Sequence, residues 1–315
     1  METITLGKTG LQVTPLGVGT WAWGDKFFWT YGQDYGLEQI KAAYDASIAA
    51  GITLFDTAEV YGLGESERIL GKLIKSSPAG SLAIATKYMP LPCRVSAKAV
   101  KKALSASLER LQLKKIDLYQ IHQPVSFLMS QKTLIDAIAD EVKQGKITAV
   151  GVSNYSAEQM REAHAYFASR GIPLAVNQVQ YSLMARKIET NGILDTAKEL
   201  GVTILAYSPL AQGLLSGKYT ITNPPTGARK LDSRFGADGL AKLTPLLKLL
   251  QQIATQYDRT PAQVALNWLI AQGNVIPIPG AKTGEQATQN AGALGWKLDP
   301  VDVGQLSRTS AAWKK

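Results

Sequence analysis

Four ionisable side chains stand where short apolar runs end. Asp56 closes "LFD" (54–56), Lys87 closes "AIATK" (83–87) and His122 closes "LYQIH" (118–122), while Tyr61 follows Asp56 in "LFDTAEVYG". A phenol has a pKa near 10 and is a poor proton donor at neutral pH. A nearby ammonium favours the phenolate, and a carboxylate keeps that ammonium charged in a dry pocket. An imidazole can then orient a polarised oxygen. Together the four groups form a tuned general acid, suited to protonating a carbonyl oxygen as a hydride reaches its carbon. Singly each has a plainer use: a turn cap, a strand-end charge, a core histidine, a packed ring. The other histidine, His164, lies mid-helix among charged neighbours and reads as a surface residue.

The elements that must position these groups follow a regular beat. Strand candidates are Leu16–Val18, Ile52–Phe55, Leu82–Ala85, Ile116–Ile121, Ala149–Val152, Leu174–Val179, Thr203–Ala206 and Val275–Pro277. Segments of helical period separate them: Leu37–Ala49, Glu65–Ile74, Ala97–Arg110, Gln131–Gln144, Ala157–Ser169, Gly192–Leu200 and Pro261–Ala271, with Glu285–Ala293 after the last strand. "SAEQ" (156–159) has the form of a capping box, Thr260 precedes a proline at the first helical position, and Gly51, Gly145, Gly171 and Gly201 follow helices as stops. Eight strands each followed by a helix predict an α/β fold, a (β/α)8 TIM barrel in which the strand tips converge on one pocket. Residues 4–14 read as an N-terminal β-hairpin, 208–240 as a long inserted loop, 243–258 as an extra helix and the tail from Val301 as one more. No linker divides the chain, so residues 1–315 are expected to form one barrel domain.

Composition narrows the partners. Of 315 residues 45% are hydrophobic and 19% charged, which argues against a disordered chain. The net charge of +9 is spread over scattered cations; "VKK" (100–102) and "LKK" (113–115) read as solvated helix faces rather than a nucleic-acid stripe. A small phosphorylated ligand needs only one or two of them. The single cysteine, Cys93, excludes an intrachain disulfide. The start "METITLGKTG" lacks an apolar signal core and no run approaches a membrane span, so a cytoplasmic protein without a membrane partner is expected. No heptad repeat argues for assembly, and a monomer is expected.

A tuned acid needs a hydride source. "GVGTWA" (17–22) fits a dinucleotide fingerprint, yet the aromatic, glycine-rich "WGDKFFWTYG" follows instead of a helix. Gly19, Thr20 and Trp21 are therefore placed at the barrel mouth, beside a cofactor. Ser153 and Asn154 end the fifth strand and Gln178 lies near the tip of the sixth; these groups suit a carboxamide edge or ordinary turn chemistry equally. Tyr207 can stack on a flat heterocycle or simply pack. "SPLAQGLLSGKY" (208–219) offers glycines and backbone N–H groups for a pyrophosphate, and "PGAKTGEQATQN" (279–290) sets a lysine at a helix start, a ready phosphate site.

The set "FDTAEVYG", "ATKY" and "IHQP" resembles the aldo-keto reductases, and the likeness runs from "LGVGTWAWG" to "VIPIPGAK". Its flavour, with "NPPTGAR" and "GALGWKL", is similar to cyanobacterial and plant-plastid members, including pyridoxal-reductase-like ones. The resemblance implies NADPH-dependent reduction of aldehydes and activated ketones, with Tyr61 as proton donor, Lys87 as its partner, Asp56 holding Lys87 and His122 orienting the carbonyl. It further implies that Ser153, Asn154, Gln178 and Tyr207 hold the nicotinamide. Ser208, Pro209, Leu210, Gly213, Leu215 and Lys218 would line the pyrophosphate, and Gly280, Lys282, Thr283, Gln286, Gln289 and Asn290 the adenosine end. Lys282 suggests a 2′-phosphate, although many members add an arginine after that lysine where this chain has "KTGEQ". Trp21, Trp29, Tyr61, Tyr88 and His122 are expected around a small-molecule carbonyl substrate, with Trp23, Phe27 and Phe28 nearby, and Lys242 and residues 220–240 over the cofactor. No metal site is expected. A different class, a cofactor-binding regulatory subunit with slow turnover, is the second reading; a two-carboxylate hydrolase is the third, though Asp56 and Glu59 are too close in sequence to flank a substrate.

Overall fold

The computed structural model describes residues 2–76, 81–125 and 129–314. A two-stranded antiparallel hairpin, β1 (Ile4–Thr5) and β2 (Gln12–Val13), comes first. Eight parallel strands follow: β3 (Gly17–Gly19), β4 (Leu54–Asp56), β5 (Ala83–Tyr88), β6 (Ile116–Ile121), β7 (Ile147–Ser153), β8 (Leu174–Gln180), β9 (Thr203–Tyr207) and β10 (Val275–Pro277). They pair in chain order, and a Gly19–Gly280 bridge joins the two edges into a barrel. The closing glycine has a steric reason: a Cβ on Gly19 would lie 2.8 Å from the Ile278 carbonyl oxygen.

Around the barrel run α1 (Leu37–Ala49), α2 (Glu65–Ser76), α3 (Ala97–Leu111), α4 (Gln131–Lys143), α5 (Ala157–Ser169), α6 (Ile193–Leu200), α7 (Ala237–Gln256), α8 (Pro261–Ile270), α9 (Gly284–Ala291) and α10 (Pro300–Thr309). The expected capping box closes at Ser156 and Gln159, and a second forms between Thr260 and Gln263. The helix expected at 243–258 starts six residues earlier, at Ala237, with Pro245 in its interior. Leu240, within the added segment, packs against the core and so carries the helix back past the proline.

Strand pleating decides what faces inward. Leu54, Ala83, Ala85, Leu118, Ala149, Val176, Leu205 and Ile276 form an interior apolar layer together with Leu6 and Val13 of the hairpin segment. The hairpin thus plugs the N-terminal end, and Gly7 donates from its backbone N–H to Thr203 Oγ1 at 2.9 Å. The opposite end, at the C-terminal strand tips, stays open and polar.

Candidate active site

Continuing inward at a period of two, the layer above the apolar one carries Asp56, Lys87, Gln120 and Gln178, all buried. Lys87 Nζ donates to Asp56 Oδ1 at 2.5 Å, to the Thr57 carbonyl at 2.7 Å and to Tyr61 Oη at 3.3 Å. Each ammonium proton therefore has an acceptor. Tyr61 reaches this point from a turn in which Gly62, Leu63 and Gly64 all take left-handed backbone; Leu63 does so with a solvent-exposed side chain. The His122 ring stands edge-on to Tyr61 with centroids 5.8 Å apart, and its Nδ1 is buried without a partner among the described residues. The four groups expected from separate strand tips thus meet at one place.

Their electrostatics differ from expectation in one respect. Burial raises the Tyr61 pKa above its usual value; Lys87 pulls it down and Asp56 pushes it up, and the net direction is upward. Desolvation outweighs the ammonium, against the expected depression, and Tyr61 rests protonated. Burial also works against the charged form of Lys87, but Asp56 and Tyr61 overcome it and hold the ammonium. Burial, with a smaller push from Lys87, lowers His122 to about 3, so its imidazole is neutral across the physiological range.

These groups floor a cavity of about 690 Å³. Gly19, Thr20, Trp21, Trp29, Ser153, Asn154, Gln178, Tyr207, Ser208, Pro209, Leu210, Gly213, Lys218, Gly280, Lys282, Thr283, Gln286, Gln289 and Asn290 line it. Asn154 Nδ2 donates to the His122 carbonyl at 3.2 Å and Tyr207 Oη donates to Asn154 Oδ1 at 3.1 Å, which ties the Tyr207 ring into the wall. Asn154 and Ser208, neither a glycine, sit at φ 61° and 49°, strain of the kind found at functional sites. At the far end Thr283 caps α9, accepting from the Gln286 N–H at 3.3 Å, and Gln286 Oε1 accepts from the Lys282 N–H at 2.9 Å.

Several expected residues lie elsewhere. Tyr88 follows the inward Lys87 and so points outward; it is fully buried, with the Arg94 guanidinium over its ring at 5.1 Å. Leu215 is fully buried in the core, its N–H bonded to the Leu210 carbonyl at 3.3 Å. Trp23 is also core, donating from Nε1 to the Ala281 carbonyl at 2.8 Å. Lys242 lies over Trp313 on α7, outside the cavity lining. Phe27 is 90% exposed, while Phe28 stacks on Trp21 at 4.9 Å.

Other lining residues escaped the sequence reading: Gln123, Gln212, Glu285 and, above all, Arg229. Arg229 comes from the inserted loop, which docks on the 25–35 loop through Thr226 Oγ1 donating to Asp34 Oδ2 at 2.9 Å. Its guanidinium lies 5.0 Å from the Trp29 ring centroid and Lys282 Nζ lies 5.2 Å from it. Burial and the nearby Arg229 and Lys218 cations lower Lys282 to about 8, against a smaller opposing pull from Asp34. Trp29 Nε1, Arg229 Nε and Gln212 Oε1 are buried without partners, all on this cavity. Such atoms fit a ligand that brings donors, acceptors and negative charge, as a phosphorylated dinucleotide does. Among the described residues no cluster suits a metal ion and no helix is long and apolar enough to cross a membrane.

Comparisons with known proteins agree with this geometry. The family model described as "Aldo/keto reductase family" matches residues 15–311. The chain is similar to the chloroplastic pyridoxal reductase of Arabidopsis thaliana, 40% identical over 307 residues, covering 94% of this chain and 83% of the relative. It is similar also to the NADH-specific methylglyoxal reductase of Escherichia coli, 30% identical with both chains covered in full. Among solved structures, the glycerol dehydrogenase of Gluconobacter oxydans superposes with a TM-score of 0.86 at 28% identity, covering 98% of this chain and 95% of that one. A thermostable aldo-keto reductase solved with the inhibitor epalrestat gives 0.79 at 30% identity, covering 98% and 100%. With the barrel, the polar floor and a family match over nearly the whole chain, this protein belongs to the aldo/keto reductase family of oxidoreductases.

Proposed function

We propose that the protein reduces aldehydes and activated ketones to alcohols with NADPH. The observation that carries this reading is Lys87 Nζ, bonded to both Asp56 and Tyr61 beneath a cavity whose other end gathers Lys218, Arg229 and Lys282. Ser153, Asn154, Gln178 and Tyr207 would hold the nicotinamide, the 208–218 turn the pyrophosphate, and Arg229 with Lys282 the 2′-phosphate. Held there, the cofactor would supply the hydride for the reduction.

The chain's own residues handle the proton. Neutral His122 orients the carbonyl oxygen by donating a hydrogen bond. Tyr61, protonated at rest, gives up its proton only as negative charge develops on that oxygen, and Lys87 stabilises the phenolate left behind. Asp56 keeps Lys87 cationic throughout. Trp21 and Trp29 pack edge to face at 5.5 Å beside Tyr61, a wall suited to flat aromatic aldehydes. The pyridoxal reductase among the relatives makes pyridoxal a substrate to include.

Arg229 answers the missing arginine after Lys282. A guanidinium from the inserted loop would take its part, which favours NADPH over NADH even though one relative bears the name NADH-specific. The test is NADPH and NADH oxidation with aromatic aldehydes, pyridoxal and dicarbonyls. Turnover with NADPH and an aromatic aldehyde is expected; no oxidation of either cofactor with any of them would refute the reading.

A further inference from the structure

Gln120 has no part in the mechanism above, yet it sits fully buried at the centre of the floor. It lies on β6 two residues before His122, so its side chain faces the barrel interior. Gln120 Nε2 donates to Asp56 Oδ2 at 3.0 Å, and Gln120 Oε1 accepts from Gln178 Nε2 at 3.1 Å. Gln178 Nε2 donates its other proton to the same Asp56 Oδ2 at 2.9 Å. Asp56 on β4, Gln120 on β6 and Gln178 on β8 thus form a closed triangle across the barrel.

Space for the triangle is built into the strand between. Gly151 on β7 pairs with Gln120, and a Cβ there would lie 3.0 Å from Gln120 Cγ and 2.4 Å from Val176 Cγ2. A glycine at 151 lets the Gln120 side chain pass beneath β7 towards β8.

The triangle has a fixed polarity. An ionised carboxylate only accepts, so the Gln120 amide nitrogen must face Asp56 and its oxygen must face Gln178. Both Gln178 Nε2 protons are then consumed below, and its Oε1, which takes no bond within the described residues, is the end left for the cavity.

We infer that Gln120 is a positioning residue that fixes the Gln178 carboxamide with its acceptor towards the cofactor and couples that grip to the Asp56 that holds Lys87. The recognised group is the NH2 of a pyridine-3-carboxamide. This inference rests on reading the cavity as a nicotinamide site.

The test uses two probes: NADP+ and its 3-acetylpyridine analogue, which keeps the ring carbonyl but lacks the NH2. Affinities come from quenching of tryptophan fluorescence, with thermal melting as the control for folding. The parent should bind NADP+ about tenfold or more tighter than the analogue, the loss of one buried hydrogen bond. In Gln120→Met, of similar volume, the ratio should fall below about threefold while the melting temperature moves by only a few degrees. Gln120→Glu supplies a rescue within one protein. A protonated carboxyl can donate to Asp56 and accept from Gln178, whereas a carboxylate cannot, so its ratio should approach the parent's at pH 5.5 and collapse at pH 8.5. A parental ratio in Gln120→Met, equal binding of both probes by the parent, or a Gln120→Glu ratio flat with pH overturns the inference while leaving the cofactor reading intact. A parent that binds neither dinucleotide overturns both.

Discussion

The two ends of the cavity are finished to different degrees. At the floor, Lys87 has an acceptor for each proton, and Asp56 takes three side-chain donors, Lys87, Gln120 and Gln178, all from strands. At the proposed phosphate end, Lys218, Arg229 and Lys282 crowd together with Asp34 as a nearby anion, on loops, with Arg229 Nε, Trp29 Nε1 and Gln212 Oε1 buried and unpartnered among the described residues. The floor is largely preorganised, with His122 Nδ1 and Gln178 Oε1 as the groups left for a ligand, whereas the proposed phosphate end leaves more for a ligand to complete. On the proposed reading, the groups that hold Lys87 and Asp56 sit largely on strands, with Tyr61 brought in by a tight turn, and recognition of a charged tail is left to loops that a ligand can order.

If that division holds, substitutions at the floor cost turnover and those at the far end cost cofactor affinity. Tyr61→Phe removes the proton donor and should lower kcat by about three to four decades, with NADPH affinity unchanged within about threefold. Steady-state rates and a fluorescence titration check the two parts. Lys87→Met should lower kcat by about two decades or more. It also strands the buried Asp56 charge, so unfolding in urea should show a loss of about 3–5 kcal/mol.

At the other end, Arg229→Ala should weaken NADPH about ten- to hundredfold and NADH by less than about threefold, with kcat at saturation retained. The smallest effect is a pH dependence. Lys282, lowered to about 8 in the free protein, must be protonated to grip a phosphate dianion. As pH rises through 8 the free protein loses that proton and must regain it on binding, so NADPH affinity falls, by at most about tenfold per pH unit, while NADH affinity stays level. Lys282→Met should abolish the slope. A slope shared equally by both cofactors would blur the proposed contrast between the ends.

Much of the floor was legible because short apolar runs ending in Asp56, Lys87 and His122 announce buried strands with polar tips. Tyr88 was misplaced because β5 runs on to Tyr88 rather than stopping at Ala85, so the alternation continues and an inward Lys87 forces its neighbour outward. Gln120 was legible by the same rule, since a glutamine two residues before His122 in an apolar strand must face the same interior. Arg229 was not, because no periodicity says where the tip of a long loop docks; its position follows from contacts such as Thr226 with Asp34. Nor could the sequence give the upward direction of the Tyr61 pKa, which depends on depth of burial, a property of the packed barrel.

Single-turnover mixing of NADPH-saturated protein with an aromatic aldehyde, parent beside Tyr61→Phe, bears most directly on the proton-donor account. The parent should form one alcohol per NADPH consumed, and the variant should keep its NADPH bound and essentially unreacted. Reduction at the parental rate by Tyr61→Phe would contradict the assignment of Tyr61 as the acid.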